Sequence, residues 1–235
     1  MRVAVSSELI RVVRDDPAGG RGRAGRGRSD RRDGGRLTVP RPARSAHNAT
    51  AIREFRISPG GRELRFRTTP GVFSAGGPDM GSQVLLDALL PSLKGDETVL
   101  DLGAGCGLIG IAVASVVGQA EVWMVDVDVR AVRVAQANVE LNGIANARVI
   151  LSDGTSDLPE GLRFDLVASN PPTHDGREVL EQLVDQSFRA LKPGGSMWVV
   201  VNRMMSIKRM MEARFSNIDS VARHKGFVVL RSVRH

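Results

Sequence analysis

The hydrophobic period of this chain switches back and forth, and that alternation restricts the fold more than any other feature. ETVLDL (97–102), AEVWMVD (120–126), ARVILSD (147–153), FDLVASN (164–170) and SMWVVVN (196–202) read as short strands. Between them, LIGIAVASVV (108–117), VRAVRVAQANVELNG (129–143), REVLEQLVDQSFRAL (177–191) and SIKRMMEARF (206–215) carry helical spacing. Gly143 stops the second of these helices, and the third ends before Pro193-Gly194-Gly195. DSVARHKGFVVLRSV (219–233) reads as two closing strands. Strands alternating with helices of this length mean a parallel sheet with helices on both faces and right-handed crossovers. Ahead of this region, AIREFRI (51–57) and ELRFRT (63–68) alternate around Ser58-Pro59-Gly60-Gly61, which predicts a β-hairpin. SQVLLDALLPSL (82–93) predicts a helix that Ser82 can cap.

Charge divides the chain in two. The net charge is +7 over 235 residues. Residues 1–46 hold twelve Arg, no Lys and five acids, so the whole excess lies there, and residues 47–235 are balanced. The centre of the first segment, GGRGRAGRGRSDRRDGGR, has almost nothing to bury against a core. It reads as a disordered Gly/Arg-rich arm, 1–46, ahead of a folded domain, 47–235. Three readings of the arm stay open: an RNA-binding tail, a solvated extension, or translated upstream sequence in a GC-rich gene. The single Cys106 excludes a disulfide framework within the chain and fits a reducing compartment. No apolar run approaches the length a bilayer requires, and the N-terminus does not read as a signal peptide. The expectation is a cytoplasmic protein without a membrane partner. Its histidines form no metal-binding spacing.

Two motifs carry chemistry. Asp101-Leu102-Gly103-Ala104-Gly105-Cys106-Gly107 follows a strand and opens a helix. Glycines there let the backbone turn sharply and approach a ligand, and the helix start offers free N–H groups. Residues 105–110, GCGLIG, match the dinucleotide fingerprint, and the overlapping residues 101–107 match the D-x-G-x-G-x-G loop of S-adenosylmethionine (SAM) methyltransferases. The next strand ends in Asp126, where a carboxylate can accept from both hydroxyls of a ribose; Asp128 is the weaker candidate for that role, with a cap of the following helix as the alternative. The third ends in Ser152-Asp153, where an acid can receive an adenine amino group; a turn residue before Gly154 is the alternative. Nothing marks Cys106 as a nucleophile.

The second motif is Asn170-Pro171-Pro172-Thr173, at the end of the fourth strand of this region. Two prolines cannot continue a ladder, so they fix a projecting loop at the ligand edge. Asn170 offers a side-chain carbonyl and Pro171 a backbone carbonyl. Two acceptors at one point suit a planar amino group whose lone pair must face an electrophilic methyl group. A dehydrogenase has no use for such a loop, which favours SAM over a nicotinamide cofactor.

On these residues the chain resembles the small-domain class I SAM-dependent methyltransferases, in particular the group around the 16S rRNA guanine-N2 methyltransferases. GVFSAGGPDMGSQVLL (71–86), VLDLGAGCGLIGIAVA (99–114), VDVDVRAVRVAQANVELNG (125–143) and FDLVASNPPTHDG (164–176) carry the resemblance. It implies a Rossmann-like, doubly wound α/β fold: a seven-stranded, mostly parallel sheet with one antiparallel strand, preceded by the hairpin and a helix. It implies SAM as cofactor, held by Asp101, Gly103, Ala104, Gly105 and Gly107, with Asp126 at the ribose hydroxyls, Asp153 at the adenine, and Val127, Gly154 and Asn170 also among the cofactor-binding residues. The loop from Phe73, with Asp79, Gly81 and Ser82, would cover the cofactor. Asn170, Pro171 and Pro172 would be catalytic, and RNA the partner and substrate. Thr173 departs from the pattern, since the rRNA enzymes carry an aromatic residue there, and the chain has no Tyr. Phe73 is the nearest substitute. Thr173 and His174 are substrate candidates, as are Arg53, Arg65 and Arg67 on the hairpin, which can track a phosphate backbone or form a solvated face. The rival readings are a methyltransferase for a protein glutamine or a small-molecule amine, an NAD-binding oxidoreductase using GCGLIG, and a non-catalytic nucleotide-binding protein.

Overall fold

The structure is a computed structural model that describes residues 52–72, 77–172, 176–202 and 205–235. The expected arm at 1–46, Phe73, Thr173 and His174 lie outside the described residues.

β1 (Arg53–Ile57) and β2 (Leu64–Thr68) form the predicted antiparallel hairpin, joined through a 3₁₀ turn at Pro59–Gly61. Phe55 lies opposite Phe66 and their rings stack with centroids 5.3 Å apart. α1 (Met80–Leu89) follows, and a 3₁₀ turn at Leu90–Ser92 ends it at Pro91. The cap expected at Ser82 is Asp79 instead, because its carboxylate accepts from two free N–H groups, Gly81 N at 3.0 Å and Ser82 N at 2.9 Å.

The alternating region gives β3 (Thr98–Leu102), α2 (Leu108–Val116), β4 (Glu121–Asp126), α3 (Val129–Leu141), β5 (Ala147–Leu151), β6 (Phe164–Ser169), α4 (Arg177–Ala190), β7 (Leu191–Asn202), α5 (Met205–Phe215), β8 (Asp219–His224) and β9 (Phe227–Val233). Asp128 caps α3 by accepting from Arg130 N at 2.8 Å, and Gly143 takes the left-handed conformation just beyond its end. The seven strands β3–β9 form one sheet in the order β5-β4-β3-β6-β7-β9-β8. Pairs from β5 to β7 are parallel, and β9 runs antiparallel to both neighbours.

Side-chain alternation divides the core between the two faces. Val99, Val122, Met124, Leu166, Ala168 and Trp198 point into a cluster with the hairpin, α1 and α2. Leu100, Trp123, Val125, Val167, Val199 and Val201 point into a second cluster with Leu180 and Val184 of α4 and Ile207, Met211 and Phe215 of α5. Both faces being covered explains why the strand runs are continuously apolar.

The order also fixes the site. The chain builds outward from β3 to β4 and β5, then returns to β6 on the other side of β3. Such a reversal opens a crevice at the carboxyl ends of the two central strands. The Gly-rich turn after β3 and Asn170-Pro171-Pro172 after β6 are neighbours there by topology.

Candidate active site

The turn after β3 is held by backbone hydrogen bonds. Gly103 N and Ala104 N both donate to Val125 O, at 3.0 and 2.9 Å. Gly105 N donates to Asp126 Oδ2 at 2.8 Å, and Asp128 N donates to Asp126 Oδ1 at 2.9 Å. Asp126 thus ties the turn to the end of β4. Gly103, Gly105 and Gly107 all have positive φ. A side chain at Gly107 would also meet Ile111, Met124 and Ala135 at 3.0–3.3 Å, whereas at Gly103 it would enter open space.

Asp101 lies under this turn, fully buried. Its Oδ2 accepts from Gly110 N at 2.8 Å, and its Oδ1 is buried without a partner. Burial pushes the carboxyl up to about 7; the Gly110 N–H opposes the rise and the charge of Asp126 adds to it. Cys106 is buried in the same turn, and burial pushes its thiol up to about 12, so it is no nucleophile at neutral pH.

A cleft of about 300 Å³ opens over the turn. Of the predicted residues, Gly103, Gly105, Asp126, Val127, Asp153, Gly154, Asn170, Pro171 and Pro172 line it. Val127 is 72% exposed and offers an apolar surface there. Asp101 and Gly107 stand behind it. Ala104 and Ser82 line a small recess beside it, shared with Asn170. Asp79 and Gly81 line neither.

The sequence reading missed one wall. Val179, Gln182, Leu183 and Gln186 of α4 line the cleft at spacings of three and four. That periodic face, just after Asn-Pro-Pro, was the signal that could have found them. Gln186 packs so closely on Gly154 that any side chain at 154 would collide with its amide. Ser169, the last residue of β6, donates from Oγ to Leu102 O at 2.7 Å and so joins the two central strand ends.

Asn170 is anchored by its nitrogen. Nδ2 donates to Asp79 Oδ2 and, at 2.9 Å, to Ser82 Oγ. No described residue donates to its Oδ1. Asn170 and Pro171 both line the cleft.

The hairpin arginines divide. Arg65 and Arg67 face outward with Glu54 and Arg56, while Arg53 lies on the side of Phe55 and Ile57, at the strand end. Arg67 pairs with Glu54 at 2.8 Å and Arg65 with Glu63 at 3.8 Å. The hairpin is fastened to α3 by two asparagines one turn apart. Asn138 Oδ1 accepts from Arg67 N at 2.8 Å, and Asn138 Nδ2 donates to Arg67 O and Cys106 O, each at 2.9 Å. Asn142 makes the same pair of bonds with Arg65, at 2.8 and 2.7 Å. Among the described residues no His, Cys, Asp and Glu group can hold a metal ion, and no described helix is long and apolar enough to cross a membrane.

This geometry is matched by known proteins. Residues 63–231 fit the family model for the methyltransferase small domain. The chain belongs to that family. It is 35% identical over 184 residues to the Ribosomal RNA small subunit methyltransferase C of Citrobacter koseri, covering 77% of this chain and 51% of that protein. It is 31% identical over 175 residues to the Bacillus subtilis protein YbxB, covering 73% of this chain and 86% of that one. Among solved structures it resembles the T. thermophilus 16S rRNA N2 G1207 methyltransferase (RsmC) in complex with AdoMet and guanosine. The TM-score is 0.72 at 32% identity, over 78% of this chain and 51% of that chain. This methyltransferase small domain thus spans about half the length of the rRNA methyltransferases it matches and most of YbxB.

Proposed function

We propose that this chain transfers a methyl group from SAM to the exocyclic N2 of a guanine in ribosomal RNA. The observation that carries the reading is the Asn170 amide, tied back through its nitrogen at a residue that lines the cleft, with no described residue donating to its carbonyl oxygen.

The cleft suits the cofactor. Its volume falls in the range of small-molecule sites. Gly103 leaves open space where a side chain would intrude, and Asp101 keeps a buried oxygen without a partner beneath the turn. Asp126 has one protein hydrogen bond at each oxygen, which leaves acceptor capacity for a ribose. Val127 and Val179 are exposed apolar surfaces for a flat ring. Gly103, Gly105, Asp126, Val127, Asp153 and Gly154 would hold SAM. When bound, SAM supplies an electrophilic methyl on sulfonium: the C–N bond forms as the C–S bond breaks and its electron pair returns to sulfur.

The residues of the chain supply position and charge. Asn170 Oδ1 and the Pro171 carbonyl accept from the two protons of the guanine amino group. That pairing turns the nitrogen lone pair toward the methyl group and stabilises the positive charge that develops on nitrogen. The surplus proton then leaves to water, so no strong base is required. The relatives named as rRNA methyltransferases support rRNA as the substrate class, and a cytoplasmic protein is the reading that goes with such a substrate. The reading assigns the chemistry to residues 47–235 and none of it to the Arg-rich residues 1–46.

Mass spectrometry of rRNA nucleosides from cells with and without the gene tests the proposal. The expected result is an N2-methylguanosine that disappears with the gene and returns when the purified chain is incubated with SAM and the unmethylated rRNA. Unchanged rRNA would overturn the substrate assignment.

A further inference from the structure

The resemblance gave Asp79, Gly81 and Ser82 a role over the cofactor. Their geometry points elsewhere. Asp79 Oδ2 accepts from Ser82 N at 2.9 Å, Ser82 Oγ at 2.8 Å and Asn170 Nδ2. Asp79 Oδ1 accepts from Gly81 N at 3.0 Å. Ser82 Oγ spends its one proton on Asp79 and therefore can only accept from Asn170. Asn170 accordingly meets two acceptors side by side, and an amide between two acceptors must turn its NH2 toward them. Rotated by half a turn, its carbonyl oxygen would face the Asp79 carboxylate and the Ser82 lone pairs, and both hydrogen bonds would be lost.

We propose that Asp79 and Ser82 are positioning residues: together they lock the Asn170 amide in the one orientation that leaves its carbonyl oxygen for a donor in the cleft. The methyl-transfer reading above enters only in what that oxygen then does. The lock also has an electrostatic side. A carboxylate accepting from the amide nitrogen draws electron density toward the amide oxygen, which makes it a better acceptor for an amine gaining positive charge. Gly81 completes the device by its lack of a side chain. A Cβ there would lie 3.2 Å from both Asn170 Nδ2 and Oδ1 and 3.1 Å from the Phe227 ring. Gly81 has no positive φ to explain it, and a side chain there would press on the Asn170 amide and that ring.

Three variants test this: Ser82→Ala, Asp79→Asn and Gly81→Ala. The first readout needs no substrate. In the whole chain labelled with ¹⁵N-asparagine, the Asn170 side-chain NH2, assigned through Asn170→Asp, should exchange slowly with solvent. It should exchange at least about tenfold faster in Ser82→Ala and Asp79→Asn. The second readout is a split. S-adenosylhomocysteine affinity by calorimetry should stay within about threefold, while kcat on unmethylated rRNA falls roughly 10- to 100-fold. Gly81→Ala is the control for a merely structural role, since alanine in a helix would otherwise stabilise; it should lower kcat without lowering S-adenosylhomocysteine affinity. Unchanged NH2 exchange in both polar variants overturns the lock. So does a loss of S-adenosylhomocysteine affinity as large as the loss of kcat, which would return these residues to the cofactor. If exchange changes as expected while Asn170→Ala keeps full activity, the lock stands and the catalytic role given to the loop falls.

Discussion

The two loops at the centre of the sheet are built in opposite ways. The turn after β3 is held by its own backbone and by the adjacent strand: three glycines at positive φ, two N–H groups on Val125 O and one on Asp126. After β6, Asn170 is followed by two prolines, whose rings fix their own φ angles. Its working side chain is held by a helix start 91 residues earlier in the chain. A backbone-made loop fails when a side chain is added. A side-chain-made loop fails when one is removed. That contrast ranks the consequences of mutation.

The largest effect is expected at the side-chain-made loop. Asn170→Ala removes one of two acceptors and should lower kcat about 10²- to 10³-fold. S-adenosylhomocysteine affinity should stay within about threefold by calorimetry, because the cleft floor is built by the other loop. A parallel loss of affinity would show that the two loops do not divide the work between catalysis and cofactor.

Next come the glycines of the turn, which separate folding from binding. Gly107→Ala adds a Cβ in the left-handed conformation, 3.0–3.3 Å from three buried side chains. It should cost about 2–3 kcal/mol, a fall in Tm of roughly 5–10 °C. Gly103→Ala meets nothing within 4 Å and bears only the backbone strain, about 1–2 kcal/mol. Its Cβ instead enters the ligand side, so S-adenosylhomocysteine affinity should fall further than for Gly107→Ala at equal folded fraction. Thermal melts and calorimetry on the two variants read both quantities. Equal losses of affinity would mean that the turn acts only as a scaffold.

How much of this was legible follows the same division. The periods of the runs from 97 to 233 carried the strand and helix order, because covering both faces of the sheet leaves a continuous apolar signature. The turn after β3 was legible because its physics is local: glycines, a strand end and a helix start are all within ten residues. The Asn170 anchor was not. Ser82 read as the cap of the helix and Asp79 as part of a cover over the cofactor, and nothing local in the sequence ties either to Asn170. Only the packed structure shows that Asp79 takes the capping role and leaves the Ser82 hydroxyl to Asn170. Asn138 was hidden in the same way. Within AQANVELN it looks like any polar helix residue, yet it is fully buried and joins β2 to Cys106 O.

A separate effect should show in pH. Asp101 keeps its proton in the folded chain up to about pH 7, whereas in the unfolded chain it loses it near the ordinary carboxylate value of 3.8. Between those two values the folded state binds one proton more. Stability therefore falls as pH rises through this window, by at most about 1.4 kcal/mol per unit, and levels off above it. Asp101→Asn, neutral throughout, should lack this slope. Melts of both proteins from pH 4.5 to 8 should show wild type losing ground to the variant as pH rises. A constant difference would mean that the carboxyl is ionised across the range and that its buried Oδ1 has a partner.

The smallest effect is expected at the hairpin, which shares features of both loops. Its backbone is fastened to α3 by Asn138 and Asn142, so its outward side chains bear little of the fold. Arg65 and Arg67 are more than half exposed, and their pairs with Glu63 and Glu54 are surface ion pairs. Such pairs are worth about 0–1 kcal/mol. Arg65→Ala with Arg67→Ala should leave Tm nearly unchanged. If the row tracks a phosphate backbone, KM for rRNA should rise about three- to tenfold at constant kcat, and the salt dependence of binding should weaken by about one unit of log–log slope per lost contact. The glutamates decide how much of that charge is available. Neutralising Glu54 and Glu63 should tighten rRNA binding by a similar factor, because it releases Arg65 and Arg67, together with Arg56, which pairs with Glu63 at 3.0 Å, without adding any guanidinium group. If neither pair of changes moves KM, the row is a solvated face and the RNA is held at the cleft alone.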